Sequence, residues 1–157
     1  MKIAMISFTG NGRRLERSLA HELEKEGHQV LQAVKCKELE SDKDAVKCSA
    51  REWTGEQFQT RDVLIFIGAV QIAVRLIASF IGSKTTDPAV LVLDEKGQYC
   101  IPILSGHIGG ANEMAERIAE MAGALPVITT ATDMRGKWVI DVFARKNHLY
   151  IEDMQKA

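Results

Sequence analysis

Only three cysteines occur in the 157 residues, Cys36, Cys48 and Cys100, and no two of them form a C-x-x-C pair. An odd, scattered set argues against a disulfide framework and against a structural zinc site, and points to reduced thiols in a cytoplasm. Long apolar runs are scarce as well. The nearest, Val63–Ile81, is interrupted by Gln71 and Arg75, whereas a helix that crosses a bilayer needs about 20 continuous apolar residues. Met1–Phe8 is too short for a signal-peptide core and runs straight into Gly10-Asn11-Gly12-Arg13-Arg14. An excess of one charge is missing too. With 20 Lys and Arg against 21 Asp and Glu, the chain offers no basic face for nucleic acid. The densest charge, Lys35 to Lys47, alternates in sign and reads as a solvated segment.

What is present is enough for one compact domain with a sizeable core. Lys2–Phe8 reads as a first strand, broken by Thr9-Gly10-Asn11-Gly12. A helix follows to about Glu26, with Leu15, Leu19, Ala20 and Leu23 recurring at three- and four-residue steps. Gly27 stops it, and His28–Val34 reads as a second strand. A loop and a short helix around Ala50–Gln57 lead to Asp62–Ile67, a continuous β-branched and aromatic run of the kind buried on both faces. Ala69–Ile81 reads as an apolar helix. Ala89–Leu93 and Tyr99–Leu104 flank Asp94-Glu95-Lys96-Gly97, which predicts a hairpin. A helix over Asn112–Ala122, a last core strand over Pro126–Thr129 and a closing helix over Val139–Lys146 complete the expectation. Alternating strands and helices predict a three-layer α/β domain over residues 1–157, Rossmann-like or flavodoxin-like, with a mostly parallel sheet between helices.

Ligands of open α/β sheets bind beyond the carboxyl ends of the strands. Four expected strand ends carry residues that a plain connection does not need: Thr9–Gly12, Gly68–Gln71, Ser105–Asn112 and Thr129–Asp133. The third is the richest. Gly106, Gly109 and Gly110 allow a sharp turn and close approach, Ser105 and Asn112 add hydrogen bonds, and the following helix start suits an anion. His107 lies between glycines, outside any core stripe. Arg75 shares a helix face with Gln71, and there it must meet an anion or reach water. Its partner is either a protein carboxylate, Asp87 or Asp94, or a ligand carboxylate. Thr129, Thr130, Thr132 and Asp133 supply three hydroxyls and a carboxylate, a ligand-binding or helix-capping set. Thr85-Thr86-Asp87-Pro88 reads as a turn. A dinucleotide fingerprint, a phosphate loop, a nucleophile elbow and metal-ligand histidine spacing are all missing. His21, His28 and His148 read as surface or strand-edge residues.

Four ordered motifs make the sequence resemble a known family. They are Gly68-Ala69-Val70-Gln71-Ile72-Ala73-Val74-Arg75, Thr86-Asp87-Pro88-Ala89-Val90, Leu104-Ser105-Gly106-His107-Ile108-Gly109-Gly110-Ala111-Asn112 and Pro126-Val127-Ile128-Thr129-Thr130-Ala131-Thr132-Asp133. Together they resemble the N-terminal half of the cobalt-precorrin-5A hydrolase family, CbiG. The resemblance implies a role in anaerobic cobalamin biosynthesis: water opens the δ-lactone of cobalt-precorrin-5A and a two-carbon fragment leaves as acetaldehyde. The substrate it implies is a carboxylated corrinoid that brings its own cobalt, so the protein needs no cofactor or metal of its own. On this footing His107 is the expected general base or proton relay, or else a ligand to the substrate's cobalt. Main-chain amides around Gly109–Ala111 would hold the oxyanion, and Arg75, Thr130 and Asp133 would position substrate groups. Thr9, Gly10, Gly12, Gly68, Gln71, Ser105, Gly106, Asn112, Thr129 and Thr132 complete the expected binding set. The family usually continues into a C-terminal domain, which makes a separate chain carrying that domain, or a second copy of this chain, the expected partner. A non-catalytic corrinoid-binding role and, more remotely, an anion- or nucleotide-binding regulator are the alternatives.

Overall fold

The computed structural model describes residues 1–106 and 109–130. His107, Thr132, Asp133 and the helix expected over 139–146 lie outside the described residues. Strands β1 (Lys2–Ser7), β2 (Gln29–Val34), β3 (Val63–Ile67), β4 (Ala89–Leu93), β5 (Tyr99–Leu104) and β6 (Leu125–Pro126) form one six-stranded sheet in the order β2-β1-β3-β4-β5-β6. The first four are parallel. The predicted hairpin is present: β5 runs antiparallel to β4, and β6 then pairs parallel with β5. Asp94 shapes the hairpin turn by accepting the N–H groups of Lys96, Gln98 and Tyr99.

Helices α1 (Gly10–Lys25) and α4 (Ala111–Ala122) cover one face of the sheet, while α2 (Ala50–Thr60) and α3 (Val70–Ile77) cover the other. The period of two along the central strands feeds both layers. Ile3, Met5, Ile65 and Leu91 meet Leu19, Leu23, Met114 and Ile118 on the α1/α4 side. Ala4, Ile6, Leu64, Phe66 and Val90 meet Trp53, Phe58, Ala73 and Ile77 on the α2/α3 side. Strands β1, β3 and β4 carry fully buried apolar runs. Each large side chain removed from water there contributes about 1.5–3 kcal/mol.

Three expected boundaries move. Gly10 and Gly12 belong to the first turn of α1, not to a loop before it, because the Thr9 hydroxyl caps the helix by accepting the Gly12 N–H at 3.0 Å. The apolar helix ends at Ile77 rather than Ile81. Phe80 leaves the helix and packs on Gly55 and on Phe58, ring centroids 6.1 Å apart. The last strand is a two-residue edge strand rather than a core strand over 126–129, and Leu125 is largely exposed.

The segment read as solvated, 35–47, holds a larger surprise. Arg13 and Glu16 of α1 are buried, at 2% and 0% exposure. Glu16 accepts hydrogen bonds from the Ser7 hydroxyl (2.5 Å) and the Ala33 amide (2.9 Å), and pairs with Arg13 at 3.1 Å. Arg13 also reaches Asp42, Asp44 and the Gln32 side chain, and the exposed Arg17 joins on Asp42 at 2.7 Å. Burial pushes the Glu16 carboxyl up to about 7 against the donors that favour its charged form. Because the folded-state value lies above the unfolded one, the folded chain holds a proton that the unfolded chain has released. Stability from this group is therefore fully present below about pH 4.5 and lost as pH rises through about 7. Thermal unfolding between pH 5 and pH 8 is expected to show a falling Tm in the wild type and a flatter profile in Glu16→Gln. A wild-type Tm that does not change across that window would overturn the assignment.

Candidate functional site

The four expected loops do not converge. They separate into two pairs at opposite edges of the sheet. Thr9 and Gly68 follow β1 and β3, so they lie where the parallel strands end. Leu104, the last residue of β5, pairs with Val90 near the start of β4. The loop after it therefore opens where the parallel strands begin. Thr130 lies at that same edge, since its hydroxyl accepts the Asn112 Nδ2–H at 2.9 Å.

At the edge where β1 and β3 end, the special residues are committed to packing and capping. A Cβ on Gly12 would lie 3.1 Å from the Ile67 side chain, and one on Gly68 would lie 3.1 Å from the Phe8 ring. The Thr9 hydroxyl is the α1 cap. Gln71 and Arg75 are exposed on α3, in the layer opposite α4. Neither expected carboxylate meets Arg75. Asp87 accepts the amides of Gly82 and Ser83, and Asp94 is occupied in the hairpin turn. Arg75 meets the requirement for its charge by reaching water.

The other edge is built differently. Ser105 adopts a left-handed backbone at φ +58°, and its hydroxyl donates to the Asp87 carbonyl at 3.1 Å. That bond ties the loop to the turn before β4. Gly110 is left-handed at φ +78° immediately before α4. At Gly109 a Cβ would stand 2.3 Å from Ser105 Cβ and 2.7 Å from its carbonyl oxygen, so no other residue fits. A Cβ on Gly106 would press on Asn112 Oδ1 at 3.0 Å, and Asn112 itself is 8% exposed.

This tightness corrects one expectation about the helix start. The loop's own carbonyls cap α4: the Ala111 amide donates to Ser105 O (3.1 Å) and the Asn112 amide to Gly106 O (3.0 Å). Ala111 thus has no N–H to offer a ligand. Among the described residues, the amides of Gly109 and Gly110 are two of those in this loop without a partner. They border an open groove of about 430 Å³, whose walls include Met1, Glu26, His28, Met114 and Arg117. Arg117 grips Glu26 through two contacts of 2.7 and 2.5 Å. The pair fastens α4 to the end of α1 and holds the Glu26 carboxyl below its ordinary range. Sequence reasoning missed this wall, because its residues come from both ends of the described chain and follow no local period.

Among the described residues, no three His, Cys, Asp or Glu side chains gather as metal ligands. Cys36, Cys48 and Cys100 are free thiols. No helix among the described residues is long and apolar enough to cross a membrane.

A family model described as cobalamin synthesis G N-terminal matches residues 52–133. The match takes in β3, α3, the hairpin, α4 and β6, and so the whole glycine-rich edge. The cobalt-precorrin-5A hydrolase of Salmonella typhimurium is 47% identical over 102 residues, which are 65% of this chain and 29% of that protein. The cobalt-precorrin-5A hydrolase of Priestia megaterium is 35% identical over 144 residues, 91% of this chain and 38% of that protein. A crystal structure of a cobalamin biosynthesis protein G homolog from Sulfolobus solfataricus superposes with a TM-score of 0.66 at 26% identity, covering 82% of this chain and 36% of that one. This chain therefore spans between about a quarter and two fifths of the length of the relatives it matches.

Proposed function

The chain belongs to the cobalamin synthesis G family, and from that premise we propose that it works in cytoplasmic cobalamin biosynthesis as the corrinoid-binding part of a cobalt-precorrin-5A hydrolase. The reading rests on one observation above the others. The Ser105–Asn112 loop holds two unpartnered amides, Gly109 and Gly110, beside an open groove, inside the segment that the family match covers.

In this reading the lactone carbonyl lies against the Gly109 and Gly110 amides, which stabilise the oxyanion as water adds. His107 takes the proton from that water; the adduct collapses by breaking the lactone carbon–oxygen bond, the released alkoxide becomes the carbonyl of acetaldehyde as its carbon–carbon bond breaks, and His107 returns the proton to the macrocycle carbon left behind. An imidazole titrating near pH 6.5 suits both transfers. Asn112 and Thr130, already hydrogen-bonded to each other, hold the loop against the chain that carries Thr132 and Asp133. The cobalt belongs to the substrate.

A second reading is favoured by the share of each relative that this chain covers, 29% and 38%. Here the chain binds corrinoid without turnover and completes its site with the remaining portion, supplied by a separate chain.

Acetaldehyde release distinguishes the two. Cobalt-precorrin-5A is incubated with the purified chain alone, and again with the remaining portion of a longer relative. Release is expected in the combined reaction and is expected to fall about a hundredfold in His107→Ala. An undiminished rate in that variant would remove His107 from the chemistry. Release by the chain alone would exclude the second reading, whereas corrinoid binding by the chain alone with release only in the combined reaction would support it.

A further inference from the structure

The excursion between β2 and α2 sorts its charges. From Lys35 to Lys47 it carries four lysines and four acidic residues. Asp42 and Asp44 turn onto Arg13, and Asp42 also takes Arg17. Lys43 leans on Asp44 at 4.0 Å, and the Glu38 carboxylate accepts the Cys36 thiol at 2.8 Å. The four charged residues left over are Lys35, Lys37, Glu40 and Lys47. These same four line an open cavity of about 250 Å³.

We infer that this cavity is a binding site for a compact, phosphate-like dianion, held by Lys35, Lys37 and Lys47. Three ammonium groups against the one carboxylate of Glu40 leave an excess of two positive charges around the cavity. None of the three lysines is ion-paired among the described residues. Lysine offers a compact point charge rather than a planar fork, which suits a tetrahedral oxyanion as well as a flat carboxylate needs arginine.

The walls are set before a ligand arrives. The Val34 amide donates to the Asp44 carbonyl and the Val46 amide to the Val34 carbonyl, both at 3.0 Å, while Arg13 holds the Asp42 and Asp44 side chains from within. Lys35 Nζ donates to the carbonyls of Val46 at 3.0 Å and Cys48 at 2.7 Å, and Lys47 Nζ reaches the Glu40 carbonyl at 3.4 Å. Carbonyls position these ammonium groups without neutralising them, and each ammonium has three protons to donate. A cation already held in place loses little freedom on binding. The cavity also lies beyond Val34, which pairs with Ser7 where β2 and β1 end. That is the end at which parallel sheets take ligands. The glycine-rich loop opens at the other end, so this site does not depend on the corrinoid reading.

The test measures binding of inorganic phosphate, and separately of malonate, to the whole chain by calorimetry at low salt. The wild type is expected to bind phosphate saturably and in preference to malonate. Lys37→Ala is expected to weaken phosphate binding about three- to fivefold and Lys37→Glu about tenfold. Glu40→Gln removes the negative charge of the lining and is expected to strengthen binding about threefold. Lys43→Ala, outside the lining, should stay within about twofold of wild type. Added sodium chloride should weaken wild-type binding and narrow its difference from Lys37→Ala. No saturable uptake of phosphate, a preference for malonate, equal binding by wild type and Lys37→Ala, no gain in Glu40→Gln, or a loss in Lys43→Ala as large as in Lys37→Ala would each overturn the assignment.

Discussion

Arg13→Met is expected to lower the free energy of unfolding by about 3–5 kcal/mol, the cost of breaking a buried ion-pair network by removing one partner. Arg13 is 2% exposed and serves Glu16, Asp42 and Asp44 together. Methionine fills much of the same volume but leaves Glu16 buried without its guanidinium and releases the excursion between β2 and α2. The exposed Arg17 remains on Asp42 and lies too far out to replace it. Arg17→Ala is expected to cost less than about 1 kcal/mol, as exposed pairs do. Urea denaturation of both variants checks this. A cost below about 1 kcal/mol for Arg13→Met would mean that the network is solvated.

Gly109→Ala is expected to remove acetaldehyde release in the combined reaction, with a change of at least about a thousandfold. The new methyl group would stand 2.3 Å from Ser105 Cβ, so Ser105, the peptide before it or the start of α4 must move. A displacement of about 1 Å at a reacting centre costs on the order of a hundredfold, and loss of an oxyanion donor costs a further hundredfold or more. Gly10→Ala is the control. A Cβ there meets nothing within 4 Å, and alanine in a first helical turn is neutral or mildly stabilising. Activity in Gly109→Ala close to that of Gly10→Ala would show that the loop is not where the chemistry occurs.

The same buried network shows where local patterning misleads. Arg13 and Glu16 sit at the three- and four-residue steps that continue the Leu19, Ala20 and Leu23 stripe toward the start of α1. Read by residue type, they look like the solvent face. Read by position, they belong to the core, and charge at a core step requires partners. Those partners are Asp42 and Asp44, more than twenty residues away, within a stretch whose alternating signs look like a solvated face. Spacing on the helix was the available signal.

The glycine-rich loop was legible for the opposite reason. Its demands are local: Gly109 must lack a Cβ against Ser105 four residues earlier, and Gly110 must turn left-handed before a helix. Which of its amides stay open was not legible, because that depends on the carbonyls of Ser105 and Gly106 folding back onto Ala111 and Asn112.

The local elements, the layered α/β class and the hairpin after β4 could all be read from the residues in order. Each of these follows from side-chain period, turn residues and caps within a few positions of one another. Which loops share an end of the sheet follows instead from the pairing of the strands. Strand direction reverses at the hairpin, so everything after β5 opens at the opposite end of the sheet from Thr9 and Gly68. Counting strand ends along the chain treats all of them as equivalent, and one antiparallel pairing is enough to separate Arg75 and Gln71 from the loop they were expected to serve.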